Sequence, residues 1–339
     1  MTEQTIQTVP QPRRSGGRLD VLLGLTLLVI LLVMWLVLSF ETTTFWTANN
    51  IANLLRQGAM IAILAIGETF TIITGGIDLS VGAIAGFVSM AVAWLLESNL
   101  GFASTIAGAV AISLAIGVCI GLFHAFGVVQ MGLPPFIMTL ATMYALRGIG
   151  LYITNGATIS ITNDAFTGFS RASFLGFPWT DGTWFQIPML FWMVLVVALP
   201  AYILLAHTRW GRYLFAIGSN KEAARLSGVN VNAVTYLAYV VSAVCAAFVG
   251  VLLAMRIGIG LATQADGWEL QAIASSVIGG TSLFGAVGSI HGPLIGSFIL
   301  TTINNGANLL NWNPFVQRII TGLLIIVVVY FDTLRRMKR

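Results

Sequence analysis

The chain alternates long apolar stretches with short breaks made of polar, glycine or proline residues. A helix needs about 20 apolar residues to cross the roughly 30 Å hydrocarbon core of a bilayer. Six stretches of about that size come first, at residues 19–40, 51–74, 79–96, 102–123, 133–153 and 187–206. The pattern therefore predicts six membrane-spanning helices in the first 206 residues.

Three clusters of basic residues set the expected orientation of these spans, because loops rich in Lys and Arg face the cytoplasm. The clusters are Arg13, Arg14 and Arg18 before the first span; Arg209, Arg212, Lys221 and Arg225 after the sixth; and Arg335, Arg336, Lys338 and Arg339 at the end. Six crossings between the first two clusters place both of them on one side. We therefore expect both termini in the cytoplasm.

Three further apolar blocks, at residues 234–254, 269–305 and 315–331, separate the second and third clusters. An even number of crossings is needed there, so the middle block crosses twice or not at all. A glycine-rich break at residues 279–285 favours two pieces, of which the first is short, and this gives ten segments in total. Eight full spans with a re-entrant hairpin is the alternative that this pattern leaves open.

This topology divides the chain into three parts. A cytoplasmic tail covers residues 1–18, a transmembrane domain covers 19–331, and a basic cytoplasmic tail covers 332–339. The domain contains a long outside loop at 154–186 and a long inside loop at 207–233. The fold class that we expect is an all-α polytopic membrane protein with eight to ten transmembrane segments.

The composition excludes most other classes of protein. Of the 339 residues, 57% are hydrophobic and 8% are charged, whereas a soluble domain carries roughly 25% charged residues. Eleven of the sixteen Lys and Arg residues belong to the three topology clusters, so no basic patch for a nucleic acid remains. The two cysteines, Cys119 and Cys245, lie far apart in apolar stretches and predict neither a disulfide nor a metal site.

The sequence also lacks three common motifs of nucleotide-binding proteins and hydrolases. A P-loop needs Lys before Ser or Thr, but Lys221 precedes Glu222 and Lys338 precedes Arg339. Neither an HExxH motif nor a Gly-x-Ser-x-Gly elbow is present. We therefore expect no catalytic residue, no metal and no cofactor in this chain, and any ATP that powers it must bind elsewhere.

Three ionisable residues fall within predicted spans, where such groups are often functional. Glu68 lies about 9 Å from the cytoplasmic end of its span, where no cation matches its depth, so a pathway-facing role and a structural role are equally open. Arg56 and Arg147 lie about 8 to 9 Å from outer ends and can extend outward towards Glu97. These residues keep an ion-coupled carrier as an alternative function.

The inside loop carries a short helix signal followed by a resemblance. Asn220 is a typical N-cap, Ala223 and Ala224 favour helix, and Gly228 closes it. The pattern Glu222-Ala223-Ala224 with Gly228 resembles the EAA-type coupling loop of ABC importer permeases, specifically the ribose-type sugar permeases. The resemblance implies that this helix docks on an ATPase subunit, through the coupling candidates Asn220, Glu222, Ala223, Ala224, Arg225 and Gly228; an amphipathic surface helix is the structural alternative.

Two glycine-containing stretches are similar to the same family. They are residues 49–82, with Gly75-Gly76-Ile77-Asp78-Leu79-Ser80, and residues 269–283, with Gly279-Gly280-Thr281-Ser282-Leu283. A Gly-Gly pair allows a sharp turn between spans, and Asp78 is favoured as a cap of span 3 over a substrate contact. Our candidates for the pathway or for helix breaks are Glu68, Gly75, Gly76, Asp78, Ser80, Gly279, Gly280, Thr281 and Ser282.

The resemblance implies a type II ABC importer permease-like fold and an ATP-driven uptake function in the bacterial inner membrane. The substrate would be a monosaccharide, either a ribose- or xylose-like pentose or a related sugar or polyol. The implied partners are an ATPase subunit with two fused nucleotide-binding modules, a periplasmic sugar-binding protein and a second permease subunit. Ser219, Gln271, Phe284 and Ala286 depart from the family pattern and leave the particular sugar open. An ion-coupled secondary carrier without an ATPase remains the alternative.

Overall fold

The computed structural model describes residues 18–180 and 182–337 and confirms an all-α polytopic architecture. The first helices are α1 (Arg18–Glu41), α2 (Ala48–Ile73), α3 (Val81–Glu97), α4 (Ile106–Val129), α5 (Pro135–Thr154), α6 (Asp164–Arg171) and α7 (Met189–Tyr202). They are followed by α8 (Arg209–Ser219), α9 (Lys221–Leu226), α10 (Val231–Ile257), α11 (Trp268–Ile278), α12 (His291–Leu309) and α13 (Pro314–Met337). Nearly all of the expected N-terminal tail, and the final two basic residues, lie outside the described residues.

Each predicted apolar segment corresponds to a helix, but the helices differ in length. Within the described ranges, seven helices are long and apolar enough to cross a membrane: α1, α2, α4, α5, α7 with its π-helical extension Ile203–His207, α10 and α13. Helix α3 has 17 residues, and α11 has 11 residues, a rise of about 16 Å that covers half of a bilayer core. The middle block is therefore a half-length helix followed by α12, which agrees with the two predicted pieces, the first of them short.

The two ends of the bundle are built differently. At the end that we call the hairpin end, β2 (Ser173–Pro178) pairs with β3 (Trp184–Pro188) in an antiparallel hairpin, and β1 (Ile159–Ser160) pairs with β4 (Ile259–Gly260). The predicted outside loop 154–186 is thus largely ordered, with α6 inside it. At the opposite end, which we call the α9 end, lie α8, α9 and the two glycine-containing breaks.

Helices α2 and α10 form the centre of the bundle. Helix α2 packs on α7, α10, α11 and α12, and α10 packs on α3 and α4 as well. Glycines on α4 permit its close contact with α10: a Cβ added at Gly117 would lie 2.6 Å from the Ala247 Cβ, and one at Gly121 would lie 2.6 Å from the Val240 Cα. Small residues allow such backbone approach where helices meet inside a bilayer.

Candidate functional site

Helix α9 is held by local contacts at both of its ends. The Asn220 Oδ1 accepts a hydrogen bond from the Ala223 amide at 2.9 Å, which satisfies one of the free amides of the first turn. After the helix, Gly228 has φ +83°, a left-handed conformation that glycine adopts without strain, and its amide donates to the Arg225 carbonyl at 3.0 Å. The structure therefore contains the helix that the sequence predicts at this position.

The predicted inside loop contains a second helix that the sequence interpretation missed. Helix α8 begins after Thr208, whose Oγ1 accepts a hydrogen bond from the Gly211 amide at 3.4 Å. The signal that could have found it is a threonine before an amphipathic run of eleven residues. Helices α8 and α9 pack on each other and both contact α10.

The surface that α9 leaves free is mixed in character. Ala224 is buried against the bundle, while the carboxylate of Glu222 lies 3.2 Å from the Arg225 guanidinium on the exposed face. Leu226, at the end of the helix, is 83% exposed. This face thus offers an ion pair beside one large apolar side chain.

Helix α8 meets the bundle at a point that we call the Gly218 junction, made of Gly218, Ile73 and Ala286. The Ala286 amide donates a hydrogen bond to the Ile73 carbonyl at 3.0 Å. A Cβ added to Gly218 would overlap both the Ile73 oxygen and the Ala286 nitrogen. The end of α2, the second glycine break and α8 are therefore in direct backbone contact.

The first glycine break follows α2 at this junction. Gly75 has φ +82°, which permits the sharp turn that the sequence predicts. Gly76 is needed for packing, because a Cβ there would lie 2.6 Å from the Tyr239 hydroxyl oxygen of α10. The break therefore packs tightly against a central helix.

A buried polar network, formed by Glu68, Asp78, Ser80 and Ser242, follows this break. The Asp78 amide donates to the Glu68 Oε1 at 2.9 Å, and the Ser80 amide and hydroxyl donate to the Asp78 Oδ1 at 2.9 and 2.5 Å. The Ser242 hydroxyl donates to the Asp78 Oδ2 at 3.0 Å. All four side chains are fully buried. The network ties α2 and α10 to the start of α3.

The predicted cap at Asp78 is displaced by two residues. The N-cap of α3 is Ser80, whose own side chain makes no capping bond, and the Asp78 carboxylate instead accepts from the Ser80 amide. An aspartate that bonds to the backbone two residues onward forms a local turn. The carboxylate therefore orders the approach to the helix and does not cap its first turn.

Two more polar side chains, which the sequence interpretation did not single out as a site, lie beside this network. The His124 Nδ1 of α4 is 3.7 Å from the Asp78 Oδ2, and the His124 ring centroid is 6.1 Å from that of Tyr239. Both side chains are almost wholly buried. Tyr239 lies within a predicted apolar span, as Glu68 does, whereas His124 directly follows the span predicted at 102–123.

The second glycine break is anchored elsewhere. Gly280 has φ +92°, and a Cβ on Gly279 would overlap the backbone of Gly292 and Pro293. The Ser282 hydroxyl and the Leu283 amide donate to the Asp332 Oδ2 of α13 at 3.1 and 3.0 Å, and Thr281 is buried. Within the described part of the chain, Thr281 and Ser282 make no hydrogen bond with the Asp78 network, although Leu283 packs in the same apolar cluster as Ile77 and Leu79.

The expectation that Arg147 extends towards Glu97 is wrong. The Arg147 Nη1 donates to the carbonyl oxygens of Ala262 and Gln264, while Glu97 accepts from the amide and hydroxyl of Thr162. The segment between β4 and α11 is not helical, so its carbonyls need donors from elsewhere inside the bundle. Arg56 donates to the Asn53 Oδ1 on its own helix at 3.3 Å.

Comparisons with known proteins give a consistent result over most of the chain. The model of a family described as "Branched-chain amino acid transport system / permease component" matches residues 50–329. A ribose import permease protein of Bacillus subtilis 168 is 38% identical over 98% of this chain and 98% of the relative. One from Escherichia coli K12 is 37% identical over 90% and 92%, and a D-allose transport system permease protein of Escherichia coli K12 is 35% identical over 91% of each chain. No solved structure matches.

Proposed function

Because the chain belongs to the ABC sugar-import permease family, as a multi-pass subunit of the inner membrane, we propose that it carries a ribose- or xylose-like pentose, or a related sugar or polyol. The observation that carries this substrate class is the 38% identity to a ribose import permease over 98% of both chains. The similar D-allose permease keeps hexoses within the range. The named relatives are transport permeases, so they lend no support to the ion-coupled alternative.

An ABC importer permease works with an ATPase and a substrate-binding protein. For this chain we propose the finer arrangement: an ATPase with two fused nucleotide-binding modules, a periplasmic sugar-binding protein and a second permease subunit, identical or different. ATP would bind to the ATPase alone. The support is the resemblance of the segment around Glu222 and Gly228 to the coupling loops of ribose-type permeases, together with the absence of a P-loop from the sequence.

We further propose that both termini and the α9 end of the bundle face the cytoplasm. The support is the distribution of charge, since Arg209, Arg212, Lys221 and Arg225 lie in or between α8 and α9. In this orientation the exposed face of α9 is available to an ATPase. Leu226 and the Glu222–Arg225 pair are the contacts we assign to it, in addition to the other coupling candidates.

In the proposed mechanism, closure of the ATPase displaces α9 and α8, and the Gly218 junction passes that displacement to the end of α2 and to the second glycine break. The hydrogen bonds of Asp78 then keep the first break, α2 and α10 together as they move. Small shifts of packed helices against one another are a known way in which a change at one site of a protein reaches another. The roles of Glu68, Asp78 and Ser80 are thus positional, and the glycine pairs permit the turns.

The coupling role is tested by two variants on the exposed face of α9, Glu222→Lys and Leu226→Asp. We expect both to insert and fold normally but to lose co-purification of the ATPase and ATP-driven uptake of labelled ribose. The matched control is Leu100→Asp, which also charges an exposed leucine, near the hairpin end. Normal ATPase binding by both α9 variants would refute the coupling assignment.

The orientation is tested separately by thiol labelling. In a chain that carries Cys119→Ala and Cys245→Ala, a membrane-impermeant reagent should label Lys221→Cys only after the cytoplasmic side is opened, and Asn99→Cys from the outside. Both positions are exposed in the structure. Labelling of Lys221→Cys in cells in which only the outer membrane has been permeabilised, and the inner membrane is intact, would overturn the proposed topology.

A further inference from the structure

An apolar groove on the side of the bundle is unused by the proposed mechanism. This feature, which we call the α7 groove, lies between α4, α7 and α10 and has a volume of about 440 Å³. Its walls include Leu114, Val196, Pro200, Leu204, Val244 and Phe248, and every side chain in its lining is apolar. Val196 and Pro200 are exposed at its rim, so the groove opens sideways from the bundle.

The depth of the α7 groove matches one leaflet of a bilayer. On α7 it extends from Val196 to Leu204, which is a rise of about 12 Å parallel to the helix axis. Leu204 lies three residues before His207, where the span ends. The groove therefore begins about 4 to 5 Å from the α9 end of the span and ends about 16 to 17 Å from it, close to the 15 Å or so that one leaflet's hydrocarbon measures.

The backbone of α7 changes at the same place. Pro200 lies inside the helix and has no amide to donate to the carbonyl of Val196. Beyond it, residues Ile203–His207 adopt a π-helical turn, a wider geometry that is often found at functional positions. The irregular end of α7 thus forms one wall of the groove and leads directly into α8.

Basic groups lie at the end of the groove where a lipid headgroup would be. The Thr208 hydroxyl donates to the carbonyl of the groove residue Leu204 at 2.6 Å, and the Arg212 guanidinium donates to the Thr208 carbonyl at 3.3 Å. Arg209 and Arg212 are both exposed, and residues 182–221 contain no Asp or Glu. Trp210, 43% exposed, is of the type that prefers the headgroup region.

We infer that the α7 groove binds one acyl chain of an anionic phospholipid, whose phosphate is held by Arg209 and Arg212. The apolar lining fits the acyl chain, and the depth fits one leaflet. Arg209 and Arg212, which make no ion pair among the described residues, fit a negative headgroup. The inference rests on the proposed placement of α8 at the cytoplasmic surface. It adds a lipid site next to the helix that leads into the coupling segment.

The test is retention of lipid by the purified full-length permease, measured by native mass spectrometry after exchange into nanodiscs of phosphatidylglycerol or phosphatidylcholine. We expect wild-type protein to retain phosphatidylglycerol in preference. The double variant Arg209→Gln/Arg212→Gln should lose about thirty-fold in that preference, the attraction expected of two basic side chains at an anionic surface. Arg171→Gln, which removes an exposed arginine near the hairpin end, is the matched control.

A second variant tests the acyl-chain part of the site. Val244→Trp fills the groove and should lower retention of both lipids, whereas Val118→Trp, on the exposed surface of α4, should not. Equal retention of the two lipids by wild-type protein, or wild-type retention by the double arginine variant, would overturn the inference. So would a change of oligomeric state in Val244→Trp without loss of lipid, which would mark the groove as a contact between copies. Lipid retention is measured on the purified protein, with neither transport nor labelling. A failure of the lipid inference is therefore distinguishable from a failure of the proposed orientation, which the thiol-labelling test measures.

Discussion

The substitution Gly218→Ala tests the proposal that movement of α8 and α9 reaches the membrane-spanning helices through the Gly218 junction. Gly218 lies in α8, where alanine would otherwise favour the helix by about 1 kcal/mol. The added methyl group would, however, overlap the Ile73 carbonyl oxygen and the Ala286 amide nitrogen, which are hydrogen-bonded to each other at 3.0 Å. Both atoms belong to the backbone and cannot rotate away. The methyl group must therefore push α8 away from the junction or separate its two halves.

The magnitude follows from these opposing effects. Overpacking of a tight contact costs about 1–3 kcal/mol, and loss of the Ala286–Ile73 hydrogen bond adds about 1 kcal/mol. Together these effects exceed the gain in helix propensity by about 2 kcal/mol. The packed arrangement of the junction should then be disfavoured about thirty-fold relative to a separated one.

The assay compares ATP hydrolysis with uptake in the reconstituted importer. Because α9 and its exposed face are unchanged, Gly218→Ala should still bind the ATPase and allow hydrolysis, while sugar uptake per ATP falls at least tenfold. Gly148→Ala is the matched control, since Gly148 also lies in a helix, in α5, and its added Cβ would meet nothing within 4 Å. Uptake per ATP equal to that of wild type would refute the reasoning that the Gly218 junction carries the movement.

Two further predictions concern the network around Asp78. Gly76→Ala should lower the thermal stability of the permease, because its Cβ would lie 2.6 Å from the Tyr239 hydroxyl; adding Tyr239→Phe, which removes that oxygen, should restore most of the loss, and no rescue would contradict the proposed contact. Glu68→Gln should keep uptake within about threefold of wild type, since an amide oxygen can still accept from the Asp78 amide, whereas Glu68→Ala leaves that donor unpaired at a cost of about 1–3 kcal/mol. Abolished uptake in Glu68→Gln at a normal protein level would show instead that the charge itself is required.

The spans could be predicted from the sequence because a bilayer imposes a length and a polarity on every helix that crosses it. The same constraint explains why α11 could be expected to be short, since glycines at 279 and 280 end its apolar run. Asn220 and Gly228 predicted α9 for a local reason, a cap at each end. The hairpin of β2 and β3 gave no such signal, because its residues follow neither a helical period nor a long apolar run.

The partners of buried side chains could not be predicted. A helix that is apolar on all sides does not show which face meets which neighbour. The sequence therefore singled out Glu68 as polar at depth but could not pair it with Asp78, ten residues away across a turn. For the same reason it could not bring His124 of α4 and Tyr239 of α10 to that network. Arg147 was misassigned because the non-helical segment that needs its donors lies more than 100 residues later.

The similarity between Gly75-Gly76 and Gly279-Gly280 becomes intelligible only in the folded chain. Each pair ends a buried helix and places one glycine at positive φ, at Gly75 and at Gly280, and the two breaks then meet where the Ala286 amide bonds to Ile73. Ala286 itself has φ +61°, which costs an alanine about 1–2 kcal/mol. Because Ala286 lies beside Gly218 and bonds to Ile73, this strained residue holds the second break against both α8 and the end of α2. Under the proposed mechanism, a single displacement of α8 therefore acts on both breaks at once. If α8 contacted the two breaks at separate points, both contacts would have to move at the same time.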